Sequence, residues 1–346
     1  MRCAKTSTET LSSLVDRLAA IPFPSVDVAQ PAALLGRCPV AGETPLHDAR
    51  ALAARAGVAT VHLKDERNRM GLGSFKALGA AYVIACDAQE GRAAVQTYVT
   101  ASAGNHGLSV AAGAQAFGAQ AVIYLAETVP ESFADRLRSF GAQVRFEGAV
   151  YEDSMAAANA AATKGWALLS DSSWEGYVDA PHRLMEGYLV LMAEAVRQIP
   201  TPPTHIFLQA GVGGLAAAAA AYARTAWGRG PRIIIVEPEF ARPIFASAEA
   251  GQVQAADGPS SAMGRLDCKE ASLIALRGLA RDADDFITIT EDEGAAGAEV
   301  VRTFGFPSTP SGAAGVSGLL SAQRQLGLSE QARVLAILSE GPEDAG

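Results

Sequence analysis

Short β-branched runs alternate along this chain with longer stretches of helical period. Runs at residues 60–64, 97–101, 121–125, 143–146, 205–208, 233–236, 286–290 and 334–338 predict strands. Between them Leu184, Tyr188, Leu191 and Ala195 recur at helical spacing, as do the apolar positions after Asn105 and after Gly213. Strands alternating with helices predict an α/β protein of mostly parallel sheets with flanking helices. The turn-rich run from Gln198 to Pro203 marks a break. It suggests a smaller inserted α/β domain over 86–195, with 1–85 and 196–346 forming one larger domain. Residues 206–223 carry no charged side chain, yet they hold Gly211, Gly213 and Gly214 and are mostly Ala beyond that. A buried strand, loop and helix fits this run better than a membrane span does.

Composition narrows the classes. The 346 residues are 49% hydrophobic and 19% charged, the balance of a compact globular chain long enough for two domains. Lys plus Arg number 28 against 37 Asp plus Glu, a net charge of −9, so a nucleic-acid partner is not expected. No apolar leader follows Met1, and no membrane partner is predicted. Cys3, Cys38, Cys86 and Cys268 lie far apart, which fits neither a zinc site nor a disulfide framework and suits a reducing cytoplasm. No metal site is expected.

Three segments carry candidate chemistry. Lys76 is the only charged residue between Met70 and Cys86 and stands just inside a predicted helix start. Burial and the positive helix end both disfavour an ammonium there, which predicts a lowered pKa and an amine able to act as a Schiff-base nucleophile. The alternative is a lysine snorkelling out from an apolar helix. Gly211, Val212, Gly213, Gly214 and Leu215 follow a predicted strand and open an Ala-rich helix. Their backbone N–H groups can hold a phosphate, and a side chain at Gly213 is expected to obstruct it. The same run also reads as a dinucleotide fingerprint, with Glu237 as the ribose acid, or as simple close packing. Finally, Ser102, Ala103, Gly104, Asn105 and His106 lie at another strand-to-helix turn, where N–H groups, a hydroxyl and an amide converge. That turn suits a carboxylate and a phenolic oxygen, or is an N-capped helix start.

In this order the three segments resemble the fold-type II, tryptophan synthase β-like pyridoxal-phosphate enzymes, and most closely their diaminopropionate ammonia-lyase family. The likeness spans about residues 44–341. Thr44-Pro45-Leu46 with Asp65-Glu66 is similar to the family's opening segment, and Gly71-Leu72-Gly73-Ser74-Phe75-Lys76 to its Schiff-base motif. The resemblance implies two α/β domains with pyridoxal 5'-phosphate in the cleft between them, in a homodimer. It implies Lys76 as the Schiff-base lysine, Phe75 beside it, Asn105 facing the cofactor's 3-oxygen, Gly211 to Leu215 around the phosphate and Ser339 at the pyridine nitrogen. Ser102, Ala103, Gly104, Asn105 and His106 would hold the substrate. Asp171, in the Asp171-Ser172-Ser173-Trp174 stretch particular to the ammonia-lyase branch, would be the one acid left near the substrate, contacting its distal amine or leaving group.

Two positions depart from the family. Ala103 stands where the branch carries an Asp thought to serve as the base for D-substrates, and Thr309 where the family carries a Glu. The implied activity is β-elimination from a small L-amino acid such as 2,3-diaminopropionate, giving a keto acid and ammonia. Lys76 would be the α-proton base. The alternatives are a β-replacement enzyme, a nicotinamide-dependent oxidoreductase built on the glycine run and Glu237, and a cofactor-holding protein without turnover.

Overall fold

The computed structural model describes residues 1–4 and 6–342. All eight predicted strands are present, with ends shifted by a residue or two. With three short ones they make eleven: β1 (Arg2–Cys3), β2 (Leu46–Asp48), β3 (Thr60–Asp65), β4 (Thr97–Ala101), β5 (Gln120–Leu125), β6 (Gln143–Phe146), β7 (Ala167–Leu168), β8 (His205–Gln209), β9 (Arg232–Pro238), β10 (Asp285–Ile289) and β11 (Arg333–Leu338). They form a seven-stranded sheet in the order β1-β10-β9-β8-β11-β3-β2 and a four-stranded sheet in the order β6-β5-β4-β7. Only the edge strands β1 and β2 pair antiparallel. The fold is therefore α/β with parallel sheets, as the alternation predicted.

Both faces of each sheet are covered at its centre, which is why the inner strands β5, β8, β9 and β11 are almost continuously apolar. Along β8, Ile206 and Leu208 enter one core while Phe207 enters the other. Along β5, Ala121, Ile123 and Leu125 face that first core, and Val122 and Tyr124 face a third. The shared core is filled by the helices Lys76–Gln89, Asn105–Ala116, Asp179–Gln198 and Gly214–Trp227. The uncharged run at 206–223 is thus strand, loop and helix. No helix among the described residues is long and apolar enough to cross a membrane.

Two of these helices cross at glycines. A Cβ on Gly187 would lie 2.5 Å from the Leu78 carbonyl oxygen, and one on Gly79 would lie 2.7 Å from the Tyr188 ring. A buried ion network pins the same helix to the large sheet. Glu194 accepts from Lys64 at 2.6 Å and from Arg69 at 2.6 Å, and Arg69 also pairs with Glu66 at 2.7 Å. These four side chains are at most 3% exposed, so each charge depends on its partners. Arg69 lies in the loop leading to Lys76, and the network fixes that loop from beneath.

Candidate active site

In parallel sheets ligand sites form beyond the carboxyl ends of the strands, and every singled-out segment lies there. Lys76 follows β3 by way of the 66–75 loop. The 102–104 turn follows β4, Asp171 follows β7, the glycine run follows β8 and Ser339 follows β11. The segment before Lys76 is tied to the end of β11: Phe75 N–H donates to the Ser339 carbonyl at 3.1 Å, and Gly341 N–H to that of Gly73 at 3.0 Å. The Ser74 hydroxyl accepts the Lys76 N–H at 3.2 Å, satisfying the first backbone donor of the helix that begins there.

Lys76 Nζ donates to Asp171 Oδ2, both side chains being about 20% exposed. This corrects the expected pKa. Burial does disfavour the ammonium, but the Asp171 carboxylate outweighs it and holds the amine above the usual lysine range. Burial likewise opposes the Asp171 carboxylate, and Lys76 overrides it, keeping that acid below the usual range. The pair joins residues far apart in sequence, so nothing local to Lys76 could reveal it. Asp171 is held in turn by its own segment. Ser173 Oγ lies 2.7 Å from Ser272 Oγ, Ser272 N–H donates to the Val212 carbonyl at 3.0 Å, and Trp174 stacks on Tyr177 at 4.4 Å. The ammonia-lyase-like stretch is thereby braced against the glycine run.

On the other side, Ser102 Oγ accepts from Gly107 N–H at 3.0 Å and Gly104 N–H at 3.3 Å, leaving its own proton to donate. His106 Nε2 faces the Leu169 carbonyl at 2.7 Å, so Nε2 carries the hydrogen; burial lowers its pKa, and Nδ1 has no partner. Ala103 is exposed, and its carbonyl accepts from Arg265 at 3.1 Å. Asn105 Nδ2 donates to Glu340 Oε2.

The glycine run turns at Gly213, whose φ of +95° favours glycine, and Gly214 begins the helix. A Cβ at Gly213 would meet Ile244 Cδ1 at 2.7 Å and Ala275 Cβ at 3.1 Å. A side chain there would run into the core, not across the anion site, which corrects the expected obstruction. At Gly211 a Cβ would meet Cys268 Sγ at 3.0 Å, and burial pushes that thiol up to about 12. Ser339 Oγ accepts from Gln209 Nε2 at 3.1 Å.

Glu237 is fully buried, its oxygens accepting the backbone N–H groups of Ile244 at 3.0 Å and Phe245 at 2.6 Å. It is an internal cap for the helix Pro243–Ala250, not a ribose contact, and the dinucleotide reading of the glycine run loses its acid.

Three contributors have no role assigned from the sequence, although Gln209 opens the glycine run and Glu340 belongs to the Ser339-Glu340-Gly341 stretch. Tyr188 was read only as a helical-period position; its ring stands edge-on to Phe75 at 4.9 Å, and its buried hydroxyl has no partner. Gln209, the last residue of β8, has a buried Oε1 without a partner. Glu340 follows Ser339 directly, so Asp171 is not the one acid beside this site.

The sequence matches the pyridoxal-phosphate dependent enzyme family over residues 38–340. Diaminopropionate ammonia-lyase of Salmonella typhimurium is 33% identical over 86% of this chain and 85% of its own length. The crystal structure of Escherichia coli diaminopropionate ammonia-lyase with an aminoacrylate–PLP azomethine reaction intermediate superposes with a TM-score of 0.84. It is 30% identical, with 93% of this chain and 90% of that chain covered. The same enzyme in complex with D-serine matches equally well, with a TM-score of 0.84, 30% identity and the same shares covered.

Proposed function

This chain belongs to the family of pyridoxal-phosphate dependent enzymes, and from that premise we propose that it is an ammonia-lyase. It eliminates the β-substituent of a small L-amino acid such as 2,3-diaminopropionate, giving a keto acid and ammonia. The observation that carries this reading is the gathering of Lys76, Asp171, Asn105, the glycine run and Ser339 at the carboxyl ends of five strands.

The residues fit the cofactor. Gly211 to Leu215 bring backbone N–H groups to a helix start, the setting that suits a phosphate. Beside it Tyr188 Oη, on the ring that a Cβ at Gly214 would meet at 3.6 Å, is a buried polar atom without a partner, a cost that a polar ligand would relieve. Held at Lys76, with Phe75 alongside, pyridoxal phosphate supplies the electron sink that lets the substrate's α-carbon give up a proton. Lys76 Nζ is our α-proton base, and Asp171 holds the resulting ammonium. Ser102 Oγ and the N–H groups of the 103–106 turn hold the substrate carboxylate. Ser339 offers the pyridine nitrogen a neutral partner, which favours expulsion of a β-leaving group over transamination.

A homodimer and a cytoplasmic setting are supported by the resemblance and by the four unpaired cysteines. We also keep 86–195 as the smaller unit, whose strands β4–β7 form a sheet of their own.

The test is to offer L-2,3-diaminopropionate alone to the cofactor-loaded protein, which should release pyruvate and ammonia. Turnover only with an added nucleophile would favour β-replacement. Tight NAD binding would favour the oxidoreductase.

A further inference from the structure

Thr309 lacks the carboxylate that the resemblance leads one to expect, yet a carboxylate occupies its side. It comes from Glu340, 5% exposed, two residues beyond the end of β11. Oε1 accepts from the Thr309 hydroxyl, and Oε2 accepts from Asn105 Nδ2. Thr309 Oγ1 is fixed in turn by the Gly312 N–H at 2.9 Å, and Ser308 Oγ donates to the Glu340 carbonyl at 2.6 Å. Gly312 makes the room, since a Cβ there would lie 2.8 Å from Glu340 Cγ. A β-bridge between Ser74 and Glu340 ties the same backbone to the Lys76 segment. Three segments of the site therefore meet at one residue, two of them on its side chain and the third on its backbone.

We propose that Glu340 is the positioning carboxylate of this site, delivered from β11 to the place beside Thr309, and that it sets which way the Asn105 amide faces. A carboxylate only accepts, so Asn105 must turn its Nδ2 toward it. The second N–H of that group is then aimed along a fixed line, and Oδ1 is held on the opposite side. A neutral amide in place of Glu340 could donate or accept, and Asn105 would be free to flip. Charge-assisted bonds are the stronger kind, so the carboxylate also holds Asn105 and Thr309 more rigidly than a neutral group could. The sequence departure at Thr309 is then a transfer of the acid from one loop to another, not its loss. This inference rests on the proposed cofactor site, because it assigns Asn105 a target there.

The test compares Glu340→Gln with the exchange variant Thr309→Glu/Glu340→Gln in the cofactor-loaded protein. For Glu340→Gln, kcat should fall about 10²-fold with KM little changed, the effect of a misaimed group. The visible circular dichroism of the bound cofactor should weaken in the same variant, and the exchange variant should restore both readouts. An unchanged circular dichroism and kcat in Glu340→Gln would overturn the proposal, as would an exchange variant no better than Glu340→Gln. If Glu340→Gln does not fold, Thr309→Val decides by the same two readouts: it removes the hydroxyl that donates to Oε1 and should shift both in the same direction. A wild-type protein with no visible cofactor band would overturn the underlying site reading, which separates that failure from this one.

Discussion

Replacing Glu237 by Gln should change how stability depends on pH. The carboxyl is fully buried, and burial raises its pKa from the ordinary 4.5 to about 8, although the N–H groups of Ile244 and Phe245 and the charge of Arg242 pull the other way. The folded chain therefore holds a proton that the unfolded chain has released. The contribution is fully present below pH 4.5, is lost as pH rises toward 8, and is constant above that. At about 1.36 kcal/mol per pKa unit the swing has a ceiling of about 5 kcal/mol. Gln does not titrate, and its NH₂ must face one of the two backbone donors, at a cost of about 1–3 kcal/mol. Urea midpoints of the apo-proteins from pH 4.5 to 9 should show wild type losing stability relative to the variant across that window. The groups common to both proteins cancel in the difference. Parallel curves would refute the reasoning. Ile244 also packs where Gly213 turns, so cofactor affinity in wild type should weaken above pH 8 and that of the variant should not.

Three further outcomes are expected. Lys76→Ala should abolish covalent cofactor attachment; borohydride reduction and peptide mapping of wild type should mark Lys76, and a label on Lys64 or Lys164 would sink the assignment. Asp171→Asn removes the charge that outweighs burial at Lys76, so the lysine pKa should drop below its ordinary value and cofactor attachment at pH 7 should speed up in stopped flow. Slower or unchanged attachment would contradict that electrostatic account. Ala103 has no proton-accepting group, so kcat/KM should favour L- over D-diaminopropionate by about 10²–10⁴-fold. Ala103→Asp should raise the D-activity selectively, and equal values for both enantiomers in wild type would mean that another residue supplies the second base.

The long strands were legible because parallel strands buried on both faces read as unbroken apolar runs, as at Ile233 to Val236. Arg2–Cys3, Leu46–Asp48 and Ala167–Leu168 were not, since two or three residues at a sheet edge have no period to detect. The glycine run and the 102–106 turn were legible as loops between strand and helix. What escaped was chemistry made by distance. The ionisation of Lys76 is set by Asp171, 95 residues away, and Asn105 meets Glu340 across 235. The spacing places Tyr188 on a helix, but its burial and its unpartnered hydroxyl have no signature there.

The order of strands also sets a timetable for synthesis. β11 lies between β8 and β3, so β3, which ends at Asp65, has no neighbour on that side until Leu338 has been made. At about 5–20 residues per second that is a wait of roughly 15–55 s. Meanwhile β4 to β7, contiguous in the chain, can pair as they emerge from the ribosome. The nascent chain thus carries an open, apolar strand edge while its smaller sheet is already closed, a state that calls for chaperone cover. Because the Ser339 carbonyl that holds the Phe75 N–H arrives with β11, the loop before Lys76 gains its support only once β11 has been made.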